Sequence, residues 1–66
     1  MRFGERLKEL RLEKGLTQQK LAEIFSVKQN TIVSWEQGVN ETDFATLIQL
    51  AKFFDVSTDY ILGIEN

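Results

Sequence analysis

Residues 16–38 read LTQQKLAEIFSVKQNTIVSWEQG, and this stretch decides the fold. Thr17 is a residue type that caps helix N-termini, and apolar residues follow it at helical spacing, which predicts a helix over about residues 18–25. The side chains that this helix is expected to bury are Leu21, Ala22 and Phe25. The connection that follows, Ser26 and Val27, is very short, so the next helix must begin almost at once.

Residues 28–37 form that next predicted helix, which packs inward through Ile32 and Trp35 and ends at Gly38. The spacing of Trp35 from Ile32 makes core packing the expected role of this aromatic ring. Two helices joined by about three residues have helix-turn-helix geometry, here over about residues 17–37. A polar outer face on the second helix completes the pattern.

Helical patterns also lie on both sides of this stretch. Before it, an apolar stripe predicts a first helix, ending near Gly15, that buries Phe3, Leu7 and Leu10. After it, Thr42 is expected to cap a fourth helix through about Phe54, whose apolar positions are Phe44, Leu47, Leu50, Ala51 and Phe54. Ser57 caps a last turn over residues 58–62. Because the β-branched residues never alternate over a useful length, the predicted fold class is all-α, with five short helices around one core.

Composition limits the classes of protein that this chain can be. Residues 1–66 are enough for one domain and are expected to form a single helix-turn-helix domain. The chain has no Cys and no His, which removes disulfides, nearly all zinc sites and the commonest general base. No apolar run approaches the ~20 residues of a membrane span, and the first residues are no secretion signal, so we expect a cytoplasmic protein without membrane contacts.

Enzymatic function is not expected. The carboxylates are scattered over helix surfaces, no nucleophile has a base partner, and there is no Gly-rich phosphate loop. We therefore expect no catalytic residue, no metal, no cofactor and no small-molecule substrate.

Charge is unevenly distributed along the chain, whose formal net charge is −2. Residues 1–40 carry seven basic and five acidic side chains, whereas residues 41–66 carry one basic and five acidic side chains. A polyanion is therefore expected to meet the first part of the chain.

Three blocks of the sequence resemble the XRE family of phage and bacterial repressors. They are LTQQKLA at residues 16–22, TIVSWEQG at residues 31–38 and LAKFFDVSTDYILG at residues 50–63, and the resemblance covers about residues 3–63. It implies a compact, five-helix, λ-repressor-like DNA-binding domain in which helices 2 and 3 form the helix-turn-helix. The implied function is a sequence-specific transcriptional regulator, a repressor, that binds double-stranded DNA at a pseudo-palindromic operator as a homodimer.

The outer face of the third helix is the candidate surface for reading bases, because its side chains reach base edges without carrying negative charge toward phosphate. The candidate base-contacting residues are Gln29, Asn30, Thr31, Val33 and Ser34. Gln29 and Asn30 can make paired hydrogen bonds to adenine, and Thr31 or Val33 can touch a thymine methyl group. The resemblance implies that positions 29, 30 and 34 read bases.

Backbone contacts are expected at both ends of the same motif. Gln18 opens the second helix, where free amides and the positive helix pole favour a phosphate, and the resemblance implies phosphate contacts by Gln18 and Gln37. Lys20 and Lys28 supply charge that does not depend on DNA sequence.

The same resemblance implies a structural ion pair, and the sequence departs from the family pattern at several positions. The resemblance implies that Arg11 pairs with Glu36, and that this pair supports the fold and does not read bases. Ser26 stands where the family usually has Gly, so a strained or altered turn is expected there. Glu41 and Asp43 stand in a loop where relatives often have basic residues, which predicts few phosphate contacts and a shallow salt dependence.

Two alternatives remain open from the sequence. The acidic second part of the chain also fits a protein-interaction or antitoxin-type helix-turn-helix module, whose DNA binding is secondary or needs a partner. The chain can also be the N-terminal domain of a longer repressor. If it dimerises, the expected surface lies on the fourth and fifth helices with the tail and includes Phe53, Tyr60 and Ile64.

Overall fold

A computed structural model describes residues 2–64 of the chain. Within that range the backbone forms helices and no strand, so the all-α fold class is confirmed. None of these helices is long and apolar enough to cross a membrane. In chain order the helices are α1 (Phe3–Glu13), α2 (Gln18–Phe25), α3 (Gln29–Gln37), α4 (Phe44–Phe54) and α5 (Thr58–Leu62).

The core draws on every helix. Five large side chains are fully buried, one from each helix in turn, namely Leu7, Leu21, Ile32, Leu50 and Ile61. Burying a side chain of this size stabilises the fold by about 1.5–3 kcal/mol relative to leaving it in water. The predicted stripe on α1 and the inward packing of Ile32 and Trp35 are confirmed, because these residues are buried.

Two apolar side chains lie further out than the helical periodicity predicts. Phe44 was expected in the apolar stripe of α4, but as the first residue of that helix it is 84% exposed, whereas Leu47, one turn later, is buried. Phe25 is half-buried instead of buried, and its ring meets Phe53 edge-on with centroids 5.5 Å apart.

The helix starts agree with the predicted caps at α2 and α5 but not at α4. Thr17 and Ser57 accept the expected hydrogen bonds from the third residues of their helices. The prediction of Thr42 as the cap of α4 is wrong, since Asp43 takes that position and its carboxylate accepts the N–H of Thr46 at 3.1 Å. Both residue types can cap, and the loop brings the chain onto α4 one residue later than the pattern predicts.

The helix ends use the left-handed backbone conformation repeatedly. Gly15 and Gly38 have φ of 69° and 77° and are the glycines expected at the ends of α1 and α3. Ser26, after α2, adopts φ 57° and ψ 40°, so the serine holds the strained conformation for which glycine is the usual residue. Asp55, after α4, does the same with φ 58°.

The crossing of α1 over the end of α3 depends on Gly4. A Cβ added at Gly4 would lie 2.6 Å from the carbonyl oxygens of both Trp35 and Glu36. Those atoms belong to the backbone and cannot move as a flexible side chain would, so the two helices touch here without any side chain between them.

Candidate nucleic-acid interface

The turn between α2 and α3 sets the relative orientation of these two helices. Val27 donates its N–H to the carbonyl of Ala22 at 2.9 Å, and Ser26 donates to Glu23 at 3.2 Å, which closes the end of α2. Lys28 is the N-cap residue of α3, with an extended backbone. The short connection therefore carries the chain from the end of α2 directly into the start of α3.

Side chains on α3 divide into an anchored face and an outer face. Ile32 and Trp35 are buried, and the Trp35 ring meets Phe3 at a centroid distance of 6.5 Å. Gln29 and Asn30 are exposed in the first turn of α3. The other candidate base-contacting residues are half-buried, namely Thr31, Val33 and Ser34.

The candidate phosphate-contacting residues occupy different environments. Lys20, Lys28 and Gln37 are exposed, at the first turn of α2, the cap of α3 and the last residue of α3. Lys20 has only a long, exposed ion pair of 3.9 Å with Glu23, which leaves its charge available to another anion. Gln18 differs from these three because it is half-buried and its amide is engaged within the protein.

Arg11 and Glu36 form a buried pair between α1 and α3. Arg11 donates from Nε to Glu36 Oε2 at 2.6 Å and from Nη2 to Glu36 Oε1 at 3.1 Å. A third donor, Nη1, binds the carbonyl of Leu16 at 2.8 Å. The two side chains are 8% and 3% exposed, so the pair lies inside the fold and away from a position where it could read bases.

A third member of this network is Gln18. Its Nε2 donates to Glu36 Oε1 at 3.1 Å, so the carboxylate receives donors from α1 and from α2 at once. Sequence reasoning assigned Gln18 to phosphate only and missed this contact. No local signal could have found it, because the two residues are 18 positions apart and meet only through the packing of α2 on α3.

Two helix starts present different electrostatic surfaces to an anion. At α2 the cap is the neutral hydroxyl of Thr17, which accepts the N–H of Lys20 at 3.0 Å. At α4 the cap is the carboxylate of Asp43, whose pKa is held below its ordinary value by hydrogen bonds from Thr46. An incoming phosphate therefore meets a positive helix pole at α2 and a fixed negative charge at α4.

The part of the chain that the structure describes contains no group of three or more His, Cys, Asp and Glu side chains that could hold a metal ion. Glu36, the most buried acid in the interface, is already occupied by Arg11 and Gln18.

Comparison with known proteins gives consistent matches. A family model described as helix-turn-helix matches residues 7–61. The HTH-type transcriptional regulator ImmR of Bacillus subtilis is 40% identical over 63 residues, which are 96% of this chain and 50% of that protein. The cryptic phage CTXphi transcriptional repressor RstR of Vibrio cholerae is 33% identical over 82% of this chain and 49% of that protein. The chain thus spans about half the length of these curated relatives.

A solved structure matches the whole arrangement of helices. The crystal structure of the restriction-modification controller protein C.AhdI from Aeromonas hydrophila aligns with a TM-score of 0.78 and 30% sequence identity. The alignment covers 91% of this chain and 91% of that chain. The similarity therefore extends well beyond α2 and α3, which together span residues 18–37.

Proposed function

This chain belongs to the helix-turn-helix family found in transcriptional regulators, and from that premise we propose that it is a sequence-specific, double-stranded-DNA-binding repressor of transcription. The observation that carries the proposal is the two-sided character of α3. Ile32 and Trp35 anchor the helix in the core, while Gln29 and Asn30 are free at its outer end. A helix held in this way can enter the major groove without losing its packing.

Base reading is assigned to the outer face of α3. Gln29 and Asn30 are the principal readers, since their exposed amides can each make two hydrogen bonds to one base edge. The supporting base contacts are assigned to the half-buried residues Thr31, Val33 and Ser34. Thr31 or Val33 can touch a thymine methyl group.

Backbone contacts come from the residues around that face. Gln18 and Gln37 bind phosphates through amides, and Lys20 and Lys28 add charge that attracts any DNA sequence. The loop that carries Glu41 and Asp43 adds no basic side chain to this surface. We therefore expect log Kd to change with log salt by only ~0.9 for each phosphate that a lysine neutralises.

The assembled regulator is a homodimer on a pseudo-palindromic operator. Two copies of α3 would lie one helical turn of DNA apart, about 34 Å. The proposed dimer surface lies on α4, α5 and the tail, where Ile64 is exposed and the rings of Phe53 and Tyr60 are half-buried. Residues 1–66 act as one helix-turn-helix domain in the cytoplasm, without catalysis, metal or cofactor.

The experiment that tests this proposal is selection from a randomised duplex DNA pool with the purified chain, at low and at moderate salt. Enrichment of a two-fold-related sequence supports a dimeric reader and delivers the operator. Transcription from a promoter that contains the operator then distinguishes repression from activation.

Two glutamines provide a matched pair of variants for the same assay. Gln29→Ala should lose most of the sequence preference, with binding to the selected operator about tenfold or more weaker. Gln19→Ala makes the same change at an exposed glutamine of α2 that is assigned no base contact and lies outside the proposed dimer surface, and it should keep the sequence preference. If a folded sample enriches no sequence even at low salt, one of the two alternatives left open by the sequence replaces DNA reading by this chain alone: a protein-interaction or antitoxin-type module, or the N-terminal domain of a longer repressor.

A further inference from the structure

A buried network connects the start of α2 to the end of α3 through the side chains of Arg11, Glu36 and Gln18. We propose that Glu36 is a positioning residue for the phosphate contact of Gln18: its carboxylate fixes the orientation of the Gln18 amide before DNA arrives. This inference rests on the proposed DNA-binding function. It assigns the buried pair a part in DNA affinity in addition to its part in stability.

The chemistry of the three groups leaves one arrangement. A carboxylate only accepts hydrogen bonds, so the amide of Gln18 must turn Nε2 toward Glu36 Oε1, at 3.1 Å. The Oε1 atom of Gln18 and its second N–H take no part in this hydrogen bond. A free surface glutamine loses rotamer freedom when it binds a phosphate, whereas Gln18 has already lost that freedom when the protein folds.

The positive charge of Arg11 explains why a carboxylate can orient Gln18 without repelling a phosphate. An unpaired Glu36 beside the start of α2 would repel a phosphate and oppose the helix pole. Arg11 binds both carboxylate oxygens, at 2.6 and 3.1 Å, and the two side chains are almost fully buried. The pair therefore orients Gln18 while contributing no net charge to the DNA-facing surface.

The position of Glu36 on α3 extends the effect. Glu36 immediately precedes Gln37, the proposed phosphate contact at the end of the recognition helix. One carboxylate is thus tied to the start of α2 and lies next to the last residue of α3. The hydrogen bond between Gln18 and Glu36 therefore ties the start of α2 to the last turn of α3.

A double-mutant cycle tests the inference. Kd for the selected operator is measured for the unmodified protein, Gln18→Ala, Glu36→Gln and the double variant, at a temperature where circular dichroism shows each to be folded. In Glu36→Gln, Arg11 Nε can keep the new amide oxygen, so the new NH₂ group faces Gln18, whose amide must turn over to accept with Oε1 and loses the orientation that the carboxylate imposes. We expect Gln18→Ala to weaken binding about fivefold alone and less than twofold in the Glu36→Gln background.

Gln19→Ala is the matched control for the cycle, since Gln19 is the exposed neighbour of Gln18 on α2. Its effect should be the same in both backgrounds. If Gln18→Ala also costs the same in both backgrounds, Glu36 is structural only and the inference is wrong, although DNA binding itself stands. If the folded, unmodified protein binds no DNA, the proposed function fails first.

A measurement on the unmodified protein covers the case in which Glu36→Gln does not fold. Nuclear magnetic resonance order parameters of the side-chain amides are compared for Gln18 and Gln19 in free protein. We expect the Gln18 amide to be as rigid as the backbone before DNA is added and the Gln19 amide to be mobile. Equal mobility of the two amides would overturn the inference.

Discussion

Helices α2 and α4 share the same hydrogen bond at their starts but carry different charges there. In α2 the neutral hydroxyl of Thr17 accepts the N–H of Lys20 at 3.0 Å, and in α4 the carboxylate of Asp43 accepts the N–H of Thr46 at 3.1 Å. Both helices also end on a non-glycine residue in the left-handed conformation, Ser26 at φ 57° and Asp55 at φ 58°. As units of local structure the two helices are equivalent.

The difference illustrates that a negatively charged cap and a bound phosphate would compete for the same partial positive charge at a helix start. A hydroxyl satisfies the orphan N–H and leaves the helix pole available to an outside anion. A carboxylate satisfies the same N–H and neutralises the pole as well. The proposed phosphate contact at α2, and the lack of one proposed at α4, agree with this difference between the caps.

The largest expected effect comes from removing one partner of the buried Arg11–Glu36 pair, which is hydrogen-bonded to Gln18 at the start of α2. Arg11→Met leaves Glu36 buried without its partner, and the free energy of unfolding should fall by about 3–5 kcal/mol. Urea unfolding followed by circular dichroism measures this loss. Arg2→Met is the control, because the Arg2–Glu5 pair is exposed and its removal should change stability by less than about 1 kcal/mol. Equal effects of the two variants would contradict the central role of the buried pair.

The second-largest effect is expected when the cap of α2 is changed to aspartate, the residue type that caps α4. In Thr17→Asp the helix keeps a good cap, so stability should hold, but the new carboxylate meets the phosphate expected at this pole. Operator binding should weaken about tenfold, with a salt slope shallower by ~0.9. Titrations at several salt concentrations measure both quantities. Unchanged affinity would place the DNA backbone away from the start of α2.

A smaller effect should follow at the other end of α2. Ser26→Gly removes the cost of a left-handed backbone at a non-glycine residue and should raise the free energy of unfolding by about 1 kcal/mol. Gly38→Ala is the reverse control, since a Cβ at Gly38 would meet no atom within 4 Å and the variant reports backbone strain alone. The two variants should shift thermal unfolding in opposite directions. Shifts of the same sign would show that packing, and not backbone conformation, dominates these turns.

The smallest effect is expected from the reciprocal change at α4. Asp43→Ser keeps a side-chain cap and removes the negative charge, so operator binding at low salt should tighten about threefold. Glu9→Gln removes the same charge from an exposed position on α1, outside the proposed dimer surface, and controls for the change in net charge. If the two variants tighten binding equally, the location of the Asp43 charge has no special importance.

Local signals predicted the parts of the fold that depend on neighbours in sequence. The bounds of α2 follow from Thr17 at its start and from the short turn after Phe25, and those of α5 follow from Ser57 and Gly63. These features work through hydrogen bonds over three or four residues, so a sequence pattern contains all the participants. The resemblance to the helix-turn-helix family is also confirmed. It could be seen in the sequence because each of its three blocks is a continuous run of residues.

Features that depend on distant packing could not be predicted in this way. The choice between Thr42 and Asp43 as the cap of α4 depends on how the loop returns from α3, and the exposure of Phe44 depends on what the rest of the fold covers at the start of α4. The hydrogen bond between Gln18 and Glu36 joins residues whose proximity exists only in the folded chain. The pairing of Arg11 with Glu36 was available from resemblance, but not the third partner.

The contact at Gly4 has a genetic consequence. Because a Cβ there would meet the Trp35 and Glu36 carbonyls at 2.6 Å, there is no clearance between α1 and the end of the recognition helix. A side chain at this site would push α1 and the end of α3 apart and would so displace the proposed reading surface. A random screen for variants that no longer recognise the operator should therefore return Gly4 among its hits, although Gly4 is not one of the proposed base-contacting residues. Its neighbours Glu5 and Lys8, both exposed on α1, should tolerate most replacements in the same screen.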